Sequence, residues 1–377
     1  ISIEAGAQNN TIGGQSDSAR NVISGNVNQG ITIHGVGTNN NLVMGNFVGT
    51  NASGSGSVAN GWAGIELFTQ AQSNIIGGAS ASARNIISGN GFQGIAISGA
   101  GTEANLVQGN YIGTNTAGTG MLPNGLSGVS IYNSASGNVV GASNVISGNG
   151  NQGITLSGTG TDANRVESNF IGTDSSGMLA LPNAWSGITI FGGAKSNIIG
   201  GTSSGAGNVV SGNLNQGMVI TQVGTTLNQI QGNLIGVDVT GEGPLANAWS
   251  GIELSGGATG NSIGGTIGNS GNIISANANH GISFVGFDTI DNSVRGNFIG
   301  QSKNGAPAGN GWSGIGVNGA TSNEIGGTEA GAGNVISQNQ HAGVVLYGGI
   351  ENVISGNAIY RNNRSNNGWQ EIGERRW

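Results

Sequence analysis

One six-residue phrase recurs through the chain and limits the folds open to it. It reads NVISGN at residues 21–26 and returns in related forms that begin at Asn85, Asn144, Asn208, Asn272 and Asn334. The intervals are 64, 59, 64, 64 and 62 residues, and each divides into two related halves. The chain therefore holds twelve units that begin 26 to 33 residues apart. Self-similarity at a fixed period is the signature of a solenoid in which neighbouring units stack.

Each unit contains three short apolar segments with a period of two. In GITI, for example, Ile31 and Ile33 point to one side and Thr32 to the other. Segments this short cannot form a sheet within one unit, but each can pair with its copy in the units above and below. The pattern predicts an all-β, single-stranded parallel β-helix of about twelve three-strand coils. We expect right-handed winding, the default for parallel crossovers, and long loops on alternate coils, where all four prolines fall.

Asparagine recurs at fixed places in every unit. Because Asn accepts left-handed turn geometry and stacked amides can bond along the axis, these columns predict ladders. One column opens the first strand of each coil. A second opens the second strand and comprises Asn21, Asn46, Asn85, Asn110, Asn144, Asn169, Asn208, Asn233, Asn272, Asn297, Asn334 and Asn357. A third is predicted five residues later and comprises Asn26, Asn51, Asn90, Asn115, Asn149, Asp174, Asn213, Asp238, Asn277, Ser302, Asn339 and Asn362.

These three-strand coils, with their NxIxGN and GIxI phrases, resemble right-handed parallel β-helix repeat proteins. The Gly- and Asn-rich composition is most similar to bacterial secreted or cell-surface members, and the resemblance covers essentially the whole chain. It implies an extracellular or cell-surface location. It leaves activity open, because the fold hosts polysaccharide lyases, hydrolases and epimerases as well as tailspikes, adhesins and stalks.

Composition restricts the partners. Charged residues are 7% of the chain, against about 25% in ordinary globular proteins, and the net charge is −7. A nucleic acid is therefore not expected as a partner. No apolar run is long enough to cross a bilayer, so membrane insertion is not expected either. The chain has no cysteine, which excludes disulfides and thiolate metal sites.

The acidic and basic residues form no recognisable catalytic set. The lysines are only Lys195 and Lys303, in separate loops. Glu66 and Glu253 share an outward position on the third strand but lie six coils, or roughly 29 Å, apart, too far to act on one bond. No metal site or cofactor is predicted; Asp174 and Asp238, two coils apart, are the only candidates for a cation. His280 replaces Gln in its column and is interpreted as a tolerated substitution. These observations predict that the chain is not an enzyme.

A regular aromatic stripe precedes the third strand of alternate coils. It places Trp62, Trp185, Trp249 and Trp312 in one line, with Leu126 at the remaining position. A second apolar line on the second strand, which includes Phe47 and Tyr111, faces away from the core. One interpretation is that each proline-bearing loop folds back so that its Trp covers the Phe or Tyr. The other is a row of platforms that stack on sugar rings or dock another solenoid.

The predicted organisation is a parallel β-helix over residues 1–360 and a charged C-terminal cap or tail over residues 361–377. Because uncapped coils expose unpaired backbone, we expect end-to-end or lateral association with further copies of the chain. The predicted function is a non-enzymatic extracellular scaffold: a surface stalk, adhesin segment or filament subunit. The alternative is a polysaccharide-binding or polysaccharide-processing β-helix, of the lyase, epimerase or hydrolase type, that uses its Trp-lined side.

Overall fold

The chain forms a parallel β-helix, as predicted. The structure, a computed structural model, describes residues 1–363. It consists of three parallel sheets of 12 strands each, wound right-handed into about 11 turns with almost no helix. The predicted segment 361–377 lies almost wholly outside the described residues, so its role as a cap or tail stays a prediction.

The three sheets follow the three segments of each repeat, and we name them first, second and third sheet accordingly. The first sheet consists of Thr11–Gly13, Leu42–Met44, Ile75–Gly77, Leu106–Gln108, Val139–Gly141, Arg165–Val166, Ile198–Gly200, Gln229–Gln231, Ser262–Gly264, Ser293–Arg295, Glu324–Gly326 and Val353–Ser355. The second sheet consists of Val22–Ile23, Phe47–Val48, Ile86–Ile87, Tyr111–Ile112, Val145–Ile146, Phe170–Ile171, Val209–Val210, Leu234–Ile235, Ile273–Ile274, Phe298–Ile299, Val335–Ser337 and Ala358–Tyr360. The third sheet consists of Ser2–Ile3, Ile31–His34, Ile65–Phe68, Ile95–Ser98, Val129–Tyr132, Ile154–Ser157, Ile188–Phe191, Met218–Thr221, Ile252–Ser255, Ile282–Val285, Ile315–Asn318 and Val344–Tyr347.

Short 3-10 turns at Asp17–Ala19, Ala81–Ala83 and Gly268–Ser270 join the first sheet to the second in three coils. Within residues 1–363, no helix has the length and apolar character needed to span a bilayer.

Like residues stack upon like in the core. In the first sheet Val107 pairs with Val140, and in the second Ile112 pairs with Ile146. Their side chains are fully buried and belong to one aliphatic cluster that runs along the axis. The continuous aliphatic core therefore follows directly from the sequence repeat.

The first two asparagine ladders are present as predicted. In the second, the Nδ2 of Asn110 donates to the Oδ1 of Asn144 at 3.1 Å, and Asn144 donates in turn to Asn169 at 2.9 Å. From the second coil on, each amide also donates to a backbone carbonyl of the preceding coil, as Asn110 does to Ile76 at 2.8 Å. Such a carbonyl can accept a second bond as well, as Val140 does from the Nδ2 of Asn169 and from the backbone N–H of Glu167, so the ladders add to the bonds that join successive coils.

The third ladder differs from the prediction in five alternate coils, while the last coil carries Asn362 as predicted. Its members are Asn26, Asn60, Asn90, Asn124, Asn149, Asn183, Asn213, Asn247, Asn277, Asn310, Asn339 and Asn362. The predicted members Asn51, Asn115, Asp174, Asp238 and Ser302 instead lie in the long loops.

The cause is a short excursion of the chain after the second strand. Antiparallel bridges such as Thr114 to Met121 close each excursion on itself. The residue five positions after the second-ladder Asn therefore leaves the column, and a later Asn re-enters it.

Candidate functional site

The four tryptophans lie on the turn that leads from the third ladder into the third sheet. In NGWAGI, Asn60 is fully buried in the ladder and Ala63 is nearly so. Gly64 packs so closely on the next coil that a Cβ would lie 2.8 Å from Ile87. The side chain of Trp62, which lies between these packed residues, projects outward. The exposed fractions are 53% for Trp62, 56% for Trp185, 50% for Trp249 and 44% for Trp312.

Two further rings extend this row. Phe92 stacks on Trp62 with ring centroids 5.3 Å apart, and His341 stacks on Trp312 at 4.8 Å. Both donate their backbone N–H to the Trp carbonyl of the coil below, which places them in the same column. The sequence reasoning considered only alternate coils and missed them, although Phe92 stands in the same phrase, NGFQGI. We call Trp62, Phe92, Trp185, Trp249, Trp312 and His341 the aromatic row.

Between the central tryptophans the column carries amides. Asn215 lies in the coil between Trp185 and Trp249, and its carbonyl accepts the Trp249 N–H at 3.2 Å. In the coil before Trp185, the Oδ1 of Asn151 is buried without a hydrogen-bond partner among the described residues. Trp185, Trp249 and Trp312 follow one another at intervals of two coils, about 10 Å, and Trp62 lies four coils from Trp185. From Asn151 to Trp312 the column thus alternates flat apolar faces with amide groups that can bond to hydroxyls.

The third sheet beside this row carries two carboxylates. Glu66 follows Trp62 by four residues, and Glu253 follows Trp249 by four. Gln29 donates to the Oε2 of Glu66 at 2.5 Å. In the same relation, Gln216 donates to the Oε2 of Glu253 at 2.8 Å. The sequence reasoning placed the two glutamates on one outward column but did not identify their glutamine partners.

A second set of rings lies at the far ends of the third-sheet strands. His34 stacks on Phe68 at 4.6 Å, and its Nε2 lies 2.9 Å from a carboxylate oxygen of Glu4. Two coils beyond Phe68, burial and the nearby charge of Glu66 raise the pKa of Tyr132. Around Glu66, the outer face of the third sheet is therefore a strip with aromatic rings at both edges and a carboxylate between them.

His280 occupies the glutamine column near the other end of the row. Burial lowers its pKa from 6.5 to about 4. Its ring lies over Gly316, where an added Cβ would come within 2.5 Å of the His280 ring. The ring also makes an edge contact with Trp312, with the ring centroids 6.5 Å apart. Its Nδ1 is buried and unpartnered among the described residues. The interpretation of His280 as a tolerated substitution did not anticipate this environment.

The long loops cover the second sheet, but not with their tryptophans. Phe47 and Tyr111 are almost buried in a small cluster separate from the main core. The loop tips reach them through glycine: Gly118 lies against Tyr111, as Gly54 lies against Phe47. Arg84 also lies over the Tyr111 ring, at 3.8 Å from its centroid. The interpretation in which each Trp covers this face is therefore wrong, because glycine and arginine cover it and the tryptophans project to solvent from another side.

Asp174 and Asp238 lie in separate loops and are engaged within them. The Oδ1 of Asp174 accepts the backbone N–H of Leu179 at 3.2 Å, and the Oδ1 of Asp238 accepts that of Thr240 at 3.0 Å. Burial alone would raise the pKa of Asp238, but hydrogen bonds from Thr240 and nearby backbone N–H groups lower it. Residues 1–363 contain no group of three acidic or histidine side chains that could hold a metal ion. Each carboxylate acts as the cap of its own loop.

A groove of about 550 Å³ lies on the outer side of the second sheet. Phe170, Leu234 and Phe298 line it, together with Lys303 from a long loop. The loops cover this sheet less closely here, so that 43% of Phe298 is exposed. The groove and the aromatic row lie on different sides of the solenoid.

Comparison with known proteins finds solved β-helix structures at low sequence identity. No protein-family model and no curated protein matches the sequence. Among solved structures, the chain is similar to a variant of the periplasmic alginate epimerase AlgG, with 13% identity, a TM-score of 0.43, and coverage of 87% of this chain and 70% of that one. The Dettilon tailspike protein is similar with 18% identity and a TM-score of 0.43, over 89% of this chain and 61% of that one. An α-1,3-glucanase from Streptomyces thermodiastaticus is similar with 14% identity and a TM-score of 0.34, over 90% of this chain and 62% of that one.

These similarities correct one prediction. Epimerases and a glucanase stand among the structures that share this architecture, which contradicts the expectation that the chain is not an enzyme. That expectation treated the lack of a familiar set of acids and bases as informative, whereas the fold accommodates several chemistries. At this identity the likeness extends to the fold alone: the chain is a right-handed parallel β-helix with asparagine ladders.

Proposed function

We propose that the protein is an extracellular or cell-surface β-helix that binds, or binds and processes, a polysaccharide along its aromatic row. The observation that supports the proposal most directly is the exposure of the four tryptophans, each between 44% and 56%. Large apolar rings held at the surface on a rigid scaffold are costly unless a partner covers them. Sugar rings present apolar C–H faces that stack on such platforms and hydroxyls that bond to the amides between them.

Rigidity supports the same proposal. Each tryptophan is bracketed by a buried ladder asparagine and a tightly packed glycine, as Trp185 is by Asn183 and Gly187. The turn therefore loses little conformational freedom when a ligand stacks on it. The row is parallel to the solenoid axis, so an extended polymer can contact several rings at once and gain from multivalency.

The test is a Trp185→Ala, Trp249→Ala double variant measured on a glycan panel. Two stacking contacts of about 1 kcal/mol each predict a loss of affinity of roughly 30-fold. The control is Phe287→Ala, which removes a ring that is 79% exposed but lies after a third-sheet strand, off the row.

Assays for cleavage and epimerisation on the same panel separate binding from processing. Because the two rings are half exposed, we expect the thermal midpoint of the double variant to stay close to that of the wild type. A collapse of stability, or unchanged binding to every glycan the wild type binds, would contradict the proposal.

A further inference from the structure

The lysines and arginines on the described part of the chain avoid one side of the solenoid. None of the lysines and arginines of residues 1–363 lies on the third sheet or on the turn that carries the aromatic row. Arg20 and Arg84 lie over rings of the second sheet, and Arg165 and Arg295 lie on the first sheet. The others are Lys195 on the turn between the third and first sheets, Lys303 in a long loop, and Arg361 after the last strand of the second sheet.

The same side carries carboxylates held in a repeated arrangement. Glu66 and Glu253 each stand four residues after an exposed Trp and accept a hydrogen bond at Oε2 from a glutamine of the preceding coil. Their Oε1 atoms accept no hydrogen bond from the described residues. Gln29 and Gln216 therefore orient each carboxylate and leave one oxygen available to a ligand.

No lysine or arginine of residues 1–363 offsets these charges, and of the histidines on this side His34 lies 2.9 Å from Glu4 and His341 stacks on Trp312. His280, which faces the same side, is uncharged at neutral pH because burial lowers its pKa to about 4. A uronate or sulfated polymer along the row would meet negative charge with no compensating Lys or Arg, and its desolvation would be unfavourable. An ammonium group on a sugar stacked at Trp62 or Trp249 would instead meet an acceptor already in place.

We infer that the aromatic row recognises a polysaccharide of amino sugars that carry free amines, with Glu66 and Glu253 accepting from the ammonium groups. This inference rests on the proposed function and specifies its ligand. The separation of the two glutamates, six coils or roughly 29 Å, requires an oligomer of several sugars for both to be engaged. Short oligomers should therefore bind weakly and gain affinity steeply with length.

The test compares oligomers of one length whose sugars carry an ammonium group, a neutral amide or a carboxylate: glucosamine, N-acetylglucosamine and galacturonate oligomers. Binding is measured at a pH where the amines are protonated and the carboxylates ionised. We expect glucosamine oligomers to bind about five- to tenfold more tightly than the acetylated ones, as partly exposed charge pairs predict. Galacturonate oligomers should bind most weakly, and high salt should reduce the glucosamine advantage.

The matched variant is E66Q/E253Q, which keeps the shape of both side chains. It should abolish the preference for free amines without lowering affinity for the acetylated oligomer. E103Q, at an exposed glutamate outside the third sheet and the row, is the control. If acetylated or uronate oligomers bind as well as glucosamine but still require Trp185 and Trp249, the inference fails and the proposed function stands. If no oligomer depends on the tryptophans, both fail.

Discussion

The third ladder allows a sharp test, because sequence and structure assign different asparagines to it. Asn124 and Asn115 belong to the same coil, and counting residues from the second ladder selects Asn115. The structure selects Asn124, which is fully buried. Its Nδ2 donates to Ile87 O at 2.9 Å and to Asn149 Oδ1 at 3.0 Å. Its Oδ1 accepts from the Nδ2 and the backbone N–H of Asn90, at 2.9 and 3.1 Å.

Asn124→Ala removes all four of these bonds at a site that water does not reach. Each hydrogen bond has a net value of about 0.5–1.5 kcal/mol, and fewer than four groups are left wholly unpaired. We therefore expect the free energy of unfolding to fall by about 3–4 kcal/mol. Asn115 makes one side-chain bond in its loop, to the N–H of Thr119 at 3.1 Å. Asn115→Ala should therefore cost less than about 1 kcal/mol.

The assay is urea unfolding of both variants and the wild type, followed by circular dichroism. A solenoid need not unfold in one step, so the slope of each transition has to be compared as well as its midpoint. A second transition in Asn124→Ala alone would report that the solenoid separates at the damaged coil, consistent with a ladder role. Equal losses from the two variants, or a larger loss from Asn115→Ala, would refute the assignment.

Two further predictions concern packing and protonation. Gly118 and Gly305 both have positive φ, +68° and +80°, but a Cβ at Gly118 would meet a tyrosine ring and a serine at 2.7–2.8 Å, whereas one at Gly305 would have no neighbour within 4 Å. Gly118→Ala should therefore lower stability by about 1–3 kcal/mol more than Gly305→Ala, measured in the same urea assay, and equal losses would show that the loop does not pack on the second sheet. His280 has a pKa lowered from 6.5 to about 4, so the unfolded chain takes up a proton before the folded one does. Stability should fall by at most about 3 kcal/mol as the pH drops from 6.5 towards 4, and His280→Gln should remove that part of the pH dependence; an unchanged dependence would contradict the burial of the ring.

The repeat in the sequence was enough to predict the coils. Stacked parallel strands require like residues above like, so each buried column, such as the pair Val107 and Val140, is visible as a periodic Ile or Val. The same requirement made the first two ladders predictable, because each asparagine stands at a constant distance from a strand. Where the distance changes, as between Asn115 and Asn124, sequence counting failed, because an excursion of the backbone has no fixed length.

The candidate site was predictable only in part. The line of tryptophans could be read from the phrases that carry Trp62, Trp185, Trp249 and Trp312. Their exposure depends on which side of the solenoid the loops cover, which is set by contacts between residues distant in sequence. The pairing of Gln29 with Glu66 likewise joins neighbouring coils, and the burial of His280 depends on a glycine in the coil above.

Local periodicity therefore determined the architecture, because a parallel solenoid repeats its contacts with each turn of the chain. Only the packing of coils and loops decided which surface stays open, since burial is a property of all three sheets together.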